Sequence, residues 1–189
     1  MKNFAIAAVL LAEFAAAHAA PTTYVIDPTH TFATFEITHF GTSTYRGRFD
    51  KKEGSVQIDR AAKTGRVELT IDMASISTGV EPLNKHLQGK DFFNVAENPS
   101  AKFVGDKFVF NGDKVSEVAG TLTMMGKTHP VTLNATAFNC YTNPMLKREV
   151  CGGDFETTLQ RSQWGVTYGM PAVLPDAVRL LVQVEAIKQ

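Results

Sequence analysis

Apolar and polar residues alternate along most of this chain with a period of two. Arg66 to Met73 reads R-V-E-L-T-I-D-M, with Val67, Leu69, Ile71 and Met73 on one side and Arg66, Glu68, Thr70 and Asp72 on the other. Successive side chains of a strand point to opposite faces, so this pattern predicts a strand with one face buried. The alternation recurs through Ala33, Phe35, Ile37 and His39, through Val56 and Ile58, and through Val131, Leu133, Ala135 and Ala137. It returns near the end of the chain in Val178, Leu180, Val182, Val184 and Ala186. Turn-forming residues punctuate these runs at Asp27-Pro28, Gly41, Lys63-Thr64-Gly65, Asn98-Pro99, Asn111-Gly112-Asp113, Gly126-Lys127, Asn143-Pro144 and Gly152-Gly153. They predict hairpins over 108–114 and 123–132.

Two segments break the rhythm. From Pro82 to Val95, Leu83, His86 and Leu87 recur at helical spacing, Gly89 interrupts, and Asp91-Phe92-Phe93 restarts. That reads as two short helical turns forming a crossover or lid, with Pro82 in a first turn and Asp91 as a helix cap. Residues 165–175 form a second irregular piece. Many short antiparallel strands with one apolar face predict an all-β fold, a sandwich or a barrel. An eight-stranded antiparallel barrel with short helical crossover segments is the expected form. Closure removes the sheet edges that invite aggregation, and eight strands enclose an interior that is packed solid or holds one small ligand.

The first residues do not belong to this pattern. Lys2, the apolar run Phe4 to Ala12 and the small-residue box Ala17-His18-Ala19 predict a cleavable signal peptide over 1–19, with the folded domain over 20–189. The apolar run is too short to span a bilayer, which needs ~20 residues, so no stable membrane anchor is expected. Export puts the chain in a compartment that permits disulfides. Cys140 and Cys151 are the only cysteines, and an even pair in an exported protein predicts a bond between them. The alternative, a metal pair, lacks C-x-x-C spacing and a histidine between them.

Charge and motifs narrow the function classes. Lys plus Arg and Asp plus Glu number 19 each, and no basic stripe is present, so no nucleic-acid partner is expected. The five histidines are scattered, so no metal is expected. Ser162 sits in R-S-Q-W-G rather than in a G-x-S-x-G elbow. No nucleophile, base and orienting group share a motif, and the reading is a protein that is not an enzyme. Thirteen phenylalanines are many for a chain of 189 residues. Composition leaves both a filled and a hollow barrel open.

Several motifs, in order, carry a resemblance. Tyr24-Val-Ile-Asp-Pro-Thr-His30-Thr31 with Phe35-Glu-Ile-Thr-His39 and Gly47-x-Phe49 resembles the opening of the YceI-like proteins. His86-Leu87, Asp91-Phe92-Phe93, Pro99 and Phe103 resemble that family's central stretch. Gly120-Thr-Leu-Thr123, Gly126, Thr128, Val131-x-Leu133 and Arg161-Ser162-x-x-Gly165 continue it. Gln163-Trp164 and the Cys140–Cys151 loop depart from its usual pattern. The resemblance implies a lipocalin-like eight-stranded barrel with an extended apolar cavity, polyisoprenoid or similar amphiphile binding, and residence in the periplasm.

On that basis the expected function is that of a periplasmic carrier or store for a polyisoprenoid of quinone or prenyl-phosphate type. A scavenger of fatty acids or amides in a stress response is a second reading, and an enzyme acting on an isoprenoid, with His30, His39 or His86 as base, is a third. The bound lipid would be the only ligand, with no other cofactor, and a homodimer stays open. The expected lining is Phe35, Ile37, Leu69, Ile71, Leu122 and Leu133 from the strands, with Leu87, Phe92, Phe93, Phe103 and Trp164 from the crossover and closing segments. His39, His86, Arg161 and Ser162 are the polar groups expected near a head group.

Overall fold

The computed structural model describes residues 20–189, so the signal peptide expected over 1–19 lies outside the described residues. The strands are β1 (Thr22–Ile26), β2 (Phe32–His39), β3 (Ser43–Phe49), β4 (Lys52–Asp59), β5 (Thr64–Asp72), β6 (Ile76–Ser77), β7 (Ser100–Asn111), β8 (Lys114–Met124), β9 (Lys127–Thr142), β10 (Glu149–Gln160) and β11 (Ala177–Lys188). One helix, α1 (Glu81–Gln88), and the 3₁₀ turns Met73–Ser75 and Arg161–Trp164 complete the regular structure among the described residues.

These strands build eight ribbons. β1 and β2 are two halves of one bent ribbon, and both pair with β11. β3 and β4 continue each other as the next ribbon, antiparallel to the first along its whole length. β5 runs through the turn Met73–Ser75 into β6, which pairs with β3. β7 to β11 follow as single long strands. Every neighbour is antiparallel, and the pairing of β1 with β11 closes the eight-ribbon barrel.

The bend between β1 and β2 has a local cause. Pro28 carries no backbone N–H and ends the ladder there. The Asp27 carboxylate then accepts from the Thr29 amide at 2.8 Å, the Thr29 hydroxyl at 2.6 Å and His30 Nδ1 at 2.8 Å. Partial burial alone would raise the Asp27 carboxyl, but these donors from Thr29 and His30 hold it down at about 2.

Three local readings are corrected. Gly152-Gly153 is not a turn but lies inside β10. A Cβ on Gly152 would sit 2.0 Å from the Val184 carbonyl oxygen, and one on Gly153 2.0 Å from that of Ala137. Glycine is there because the neighbouring strands pass too close for any side chain. The row Val131, Leu133, Ala135, Ala137 does not keep one face. The β9–β10 register shifts between Asp154 and Phe155, so Ala137 is exposed while Phe138 and Cys140 pack against the core. An extra residue in a ladder moves the following side chains to the other face.

The second helical turn expected at Asp91 does not form. After α1 ends at Gln88, the chain turns back through Phe92 N to Gly89 O (3.1 Å) and Phe93 N to Leu87 O (3.1 Å). Asp91 therefore caps nothing, and its carboxylate meets His86 Nε2 at 3.1 Å. Helix α1 receives no side-chain cap from Val80, its N-cap residue. It is held from beside its first turn, where Asn84 Oδ1 accepts from the Thr78 amide and hydroxyl, both at 2.8 Å.

Candidate functional site

Inward side chains fill the barrel unevenly. Toward the end bearing the β2–β3 turn they leave a cavity of about 360 Å³, walled almost wholly by apolar atoms. Toward the opposite end they leave only about 70 Å³. That narrow end is also shut at its base. Tyr24 is 1% exposed, and its hydroxyl donates to Glu149 at 2.5 Å, while Arg60 reaches the same carboxylate at 2.7 Å. Burial first, and then the Glu149 carboxylate, push the Tyr24 phenol up to about 12. Cys140 and Cys151 form a disulfide across directly paired positions of β9 and β10, with their Cα atoms 4.1 Å apart. The bond lies beside the narrow chamber, which Cys151 lines.

Three segments roof the wide end. Α1 contributes Leu83, His86 and Leu87, and the turn after it contributes Phe92 and Phe93. The third is the loop that follows β10. Its anchor is Arg161, only 6% exposed. Arg161 Nε donates to the Pro175 carbonyl at 2.9 Å and Nη1 to Val166 at 3.1 Å, while Nη2 donates to Tyr168 at 3.0 Å and Leu174 at 3.4 Å. A guanidinium offers five N–H groups in a fixed fork and no acceptor, so one side chain pins the carbonyls of an otherwise irregular loop. Burial lowers the Arg161 pKa and the Asp176 carboxylate opposes the shift, yet a guanidinium stays charged in any protein setting.

Trp164 then plugs the roof. It is 1% exposed, its indole N–H donates to the Leu122 carbonyl at 3.2 Å, and its ring meets the His129 edge at 5.1 Å. His129 Nε2 donates to the Gln163 carbonyl at 3.0 Å. Gly165 follows at φ +86°, a left-handed conformation that glycine adopts without a steric penalty. The Phe40 amide donates to the Val173 carbonyl at 2.9 Å and ties the loop to the β2–β3 turn.

The entrance is aromatic. The His39 ring lies tilted 4.7 Å from Tyr45, and His86 lies 5.1 Å from Tyr168 and 5.0 Å from Phe92. All five line the cavity, and Tyr45 and Tyr168 are nearly half exposed. Carbon thus dominates the interior, with imidazole and phenol groups where it meets water. That arrangement suits an elongated apolar guest with one polar end. Among the described residues, no three His, Cys, Asp or Glu side chains are grouped to hold a metal.

Most of the residues expected from the sequence meet here. Phe35, Ile37, His39, Ile71, His86, Leu87, Phe92, Phe93, Leu122, Arg161 and Trp164 line the wide cavity. Leu69, Phe103 and Leu133 face the narrow chamber instead. Ser162 lines neither, because its hydroxyl and amide bond Asp176 at 2.6 and 2.8 Å. Arg161 borders the cavity with most of its donors already spent on the loop. His30, the remaining histidine considered as a base, is exposed at the β1–β2 bend and paired with Asp27. Tyr45, Phe49, Met73, Tyr168 and Leu180 also line the cavity, beyond the residues expected from the sequence. Met73 and Leu180 extend rows already legible in the sequence, and Tyr45, Gly47 and Phe49 alternate in the same way. No sequence signal marks Tyr168.

Comparison with known proteins supplies the family. The YceI-like domain matches residues 24–186. The chain belongs to the YceI-like family. A UPF0312 protein of Pseudomonas paraeruginosa is 33% identical over 100% of this chain and 98% of its own length. Among solved structures, BcnA of Burkholderia cenocepacia superposes with a TM-score of 0.71 at 25% identity, covering 85% of this chain and 99% of that one. A polyisoprenoid binding domain from Saccharophagus degradans, implicated in plant cell wall breakdown, matches at a TM-score of 0.63 and 17% identity. It covers 89% of this chain and 99% of its own, and it shows the shared fold.

Proposed function

We propose that this YceI-like protein is an exported, periplasmic carrier or store for a long apolar amphiphile, a polyisoprenoid of quinone or prenyl-phosphate type. The observation that carries the reading is the cavity of about 360 Å³, walled almost wholly by apolar atoms and opening at an aromatic, histidine-bearing rim. Burying a prenyl chain gains ~0.8 kcal/mol per methylene-sized group, so a lipid crossing water needs such a container. The chain enters first, and the head group rests among His39, Tyr45, His86 and Tyr168. The polyisoprenoid-binding domain of the same fold supports this ligand class.

Binding rather than catalysis is the reading the rim supports. His86 and Asp91 form a histidine–carboxylate pair at 3.1 Å, but the imidazole packs on the rings of Phe92 and Tyr168. Among the described residues, no serine, threonine or cysteine is a hydrogen-bond partner of His86. The test is native mass spectrometry, with organic extraction, of protein purified from its own host. A stoichiometric isoprenoid is expected. A straight-chain fatty acid or amide would favour the scavenger reading, and protein free of any lipid would overturn both.

A further inference from the structure

The boundary between the two chambers can be followed from strand to strand along the wall. On β5 it separates Ile71 from Leu69, on β7 Ala101 from Phe103, and on β11 Leu180 from Val182. In each pair the first residue borders the wide cavity and the second, two positions away on the same face, borders the narrow chamber. Across the sheet Leu69 pairs directly with Phe103, and Phe103 directly with Leu122. All three are buried. Leu122 borders the wide cavity and Leu69 and Phe103 the narrow chamber, so their side chains form a continuous apolar row across three strands where one space gives way to the other.

Phe103 dominates that row by size, and its ring has a place prepared for it. A Cβ on Gly105, the next inward position of β7, would lie 3.0 Å from Phe103 Cε1 and closer still to Val67 and Val118. The ring thus leans along the strand into volume a side chain on Gly105 would occupy, and it narrows the space beyond. At the matching level above, Ala101 is small and buried. A large residue below a small one makes a step in the wall.

We propose that the Leu69–Phe103–Leu122 row is the floor of the lipid site and sets the length of chain the protein accepts. This rests on the reading of the wide cavity as a lipid site. The wide cavity follows β2 from Ala33 to His39, about 20 Å of strand at ~3.3 Å per residue and about 15 Å of depth at a strand tilt of ~40°. Isoprenoid units beyond that depth meet the Phe103 ring and stay at the rim or in water. They then add no affinity. The narrow chamber, which Phe103 lines, is space held in reserve behind this ring.

The test uses the full chain, freed of lipid by resin exchange, and dissociation constants for geraniol, farnesol, geranylgeraniol and solanesol. Wild type should gain affinity with length up to a break point and then level off. Phe103→Ala should move the break to a longer alcohol, by about tenfold in affinity for every two further methylenes buried. Ala101→Leu should move it to a shorter one. Circular dichroism verifies folding, and Phe103→Leu replaces Phe103→Ala if the latter does not fold. An unchanged break point in folded variants of both kinds overturns the floor. Wild type that binds no member of the series overturns the lipid reading itself, and the floor with it.

Discussion

Replacing Arg161 with methionine keeps the length of the side chain and removes its donors. Four loop carbonyls, on Val166, Tyr168, Leu174 and Pro175, then lose their partner. A hydrogen bond from a charged group contributes ~1.5–3 kcal/mol, but these four share one anchor and the freed loop recovers water for its carbonyls. The loss is accordingly far below their sum, and we expect about 3 kcal/mol. For a domain of this size each kcal/mol moves the melting temperature by ~2–4 °C, so Arg161→Met should melt roughly 6–12 °C below wild type. Arg161→Lys should fall nearly as far, since an ammonium is a point donor and cannot span carbonyls on both sides of the fork. The second measurement is hydrogen exchange, where amides of residues 165–176 should lose protection in both variants while β5 and β7 keep theirs. A lysine variant indistinguishable from wild type, or a methionine variant melting within about 2 °C of it, would refute the clamp. A residue that served only to bind a head group would instead leave lipid-free stability untouched.

Other substitutions probe the two chambers, the disulfide and the β1–β2 bend. Ile71→Trp should be tolerated and should abolish lipid binding, because Ile71 borders the wide cavity; Leu69→Trp, one inward position away, should cost ~1–3 kcal/mol by overpacking. Equal thermal stabilities for the two would contradict the uneven filling of the barrel. Cys140→Ser with Cys151→Ser should lower stability by roughly 3 kcal/mol in the chain-entropy model without preventing folding; a pair of alkylatable thiols in denatured, unreduced protein would show that the bond is not formed. Asp27 and His30 make a pH window. The lowered Asp27 carboxyl adds stability above its unfolded value of 3.8, lost as pH falls through about 2. His30 is raised, chiefly by its hydrogen bond to Asp27, and adds stability below its unfolded value of 6.5, lost as pH rises through its folded one. Asp27→Asn should flatten both flanks of urea midpoint against pH, and an unaltered profile would discount the pair.

What could be read from the sequence was what repeats locally. Val67 to Met73 and Val178 to Ala186 alternate cleanly because one face of each meets the barrel interior and the other meets water. The ribbon Ser43–Phe49 was harder, because Thr44, Arg46 and Arg48 face outward and only Tyr45, Gly47 and Phe49 mark the inner side. Gly47 is inward yet has no side chain, because the Phe35 ring occupies its space: a Cβ there would lie 2.4 Å from Phe35 Cζ. Β10 was masked by its glycine pair, whose reason lies in strands far apart in sequence. Polarity was a poor guide for the same cause. Arg161 and Ser162 look like a ligand's partners in one dimension, and only the folded loop brings Pro175 and Asp176 back to consume them. The division of the interior between Ile71 and Leu69 has no local signature at all, since both are aliphatic members of one row.

The pairing that closes the barrel joins the first described strand to the last. Tyr24 stands opposite Lys188, and the Gln189 amide donates to the Thr23 carbonyl at 3.0 Å. Contacts of this sequence separation come with a high loop-closure entropy and slow folding. Until Ala177–Lys188 is available, β10, β1 and β2 each lack their neighbour on that side, and the container has an open seam along its whole height. A chain growing from its N-terminus therefore cannot seal an interior before its final twelve-residue strand is made. Enclosure of the barrel interior waits for β11, and so does protection of the sheet edges. Loss of even the last few residues would be felt as an unzipped wall rather than as a trimmed end.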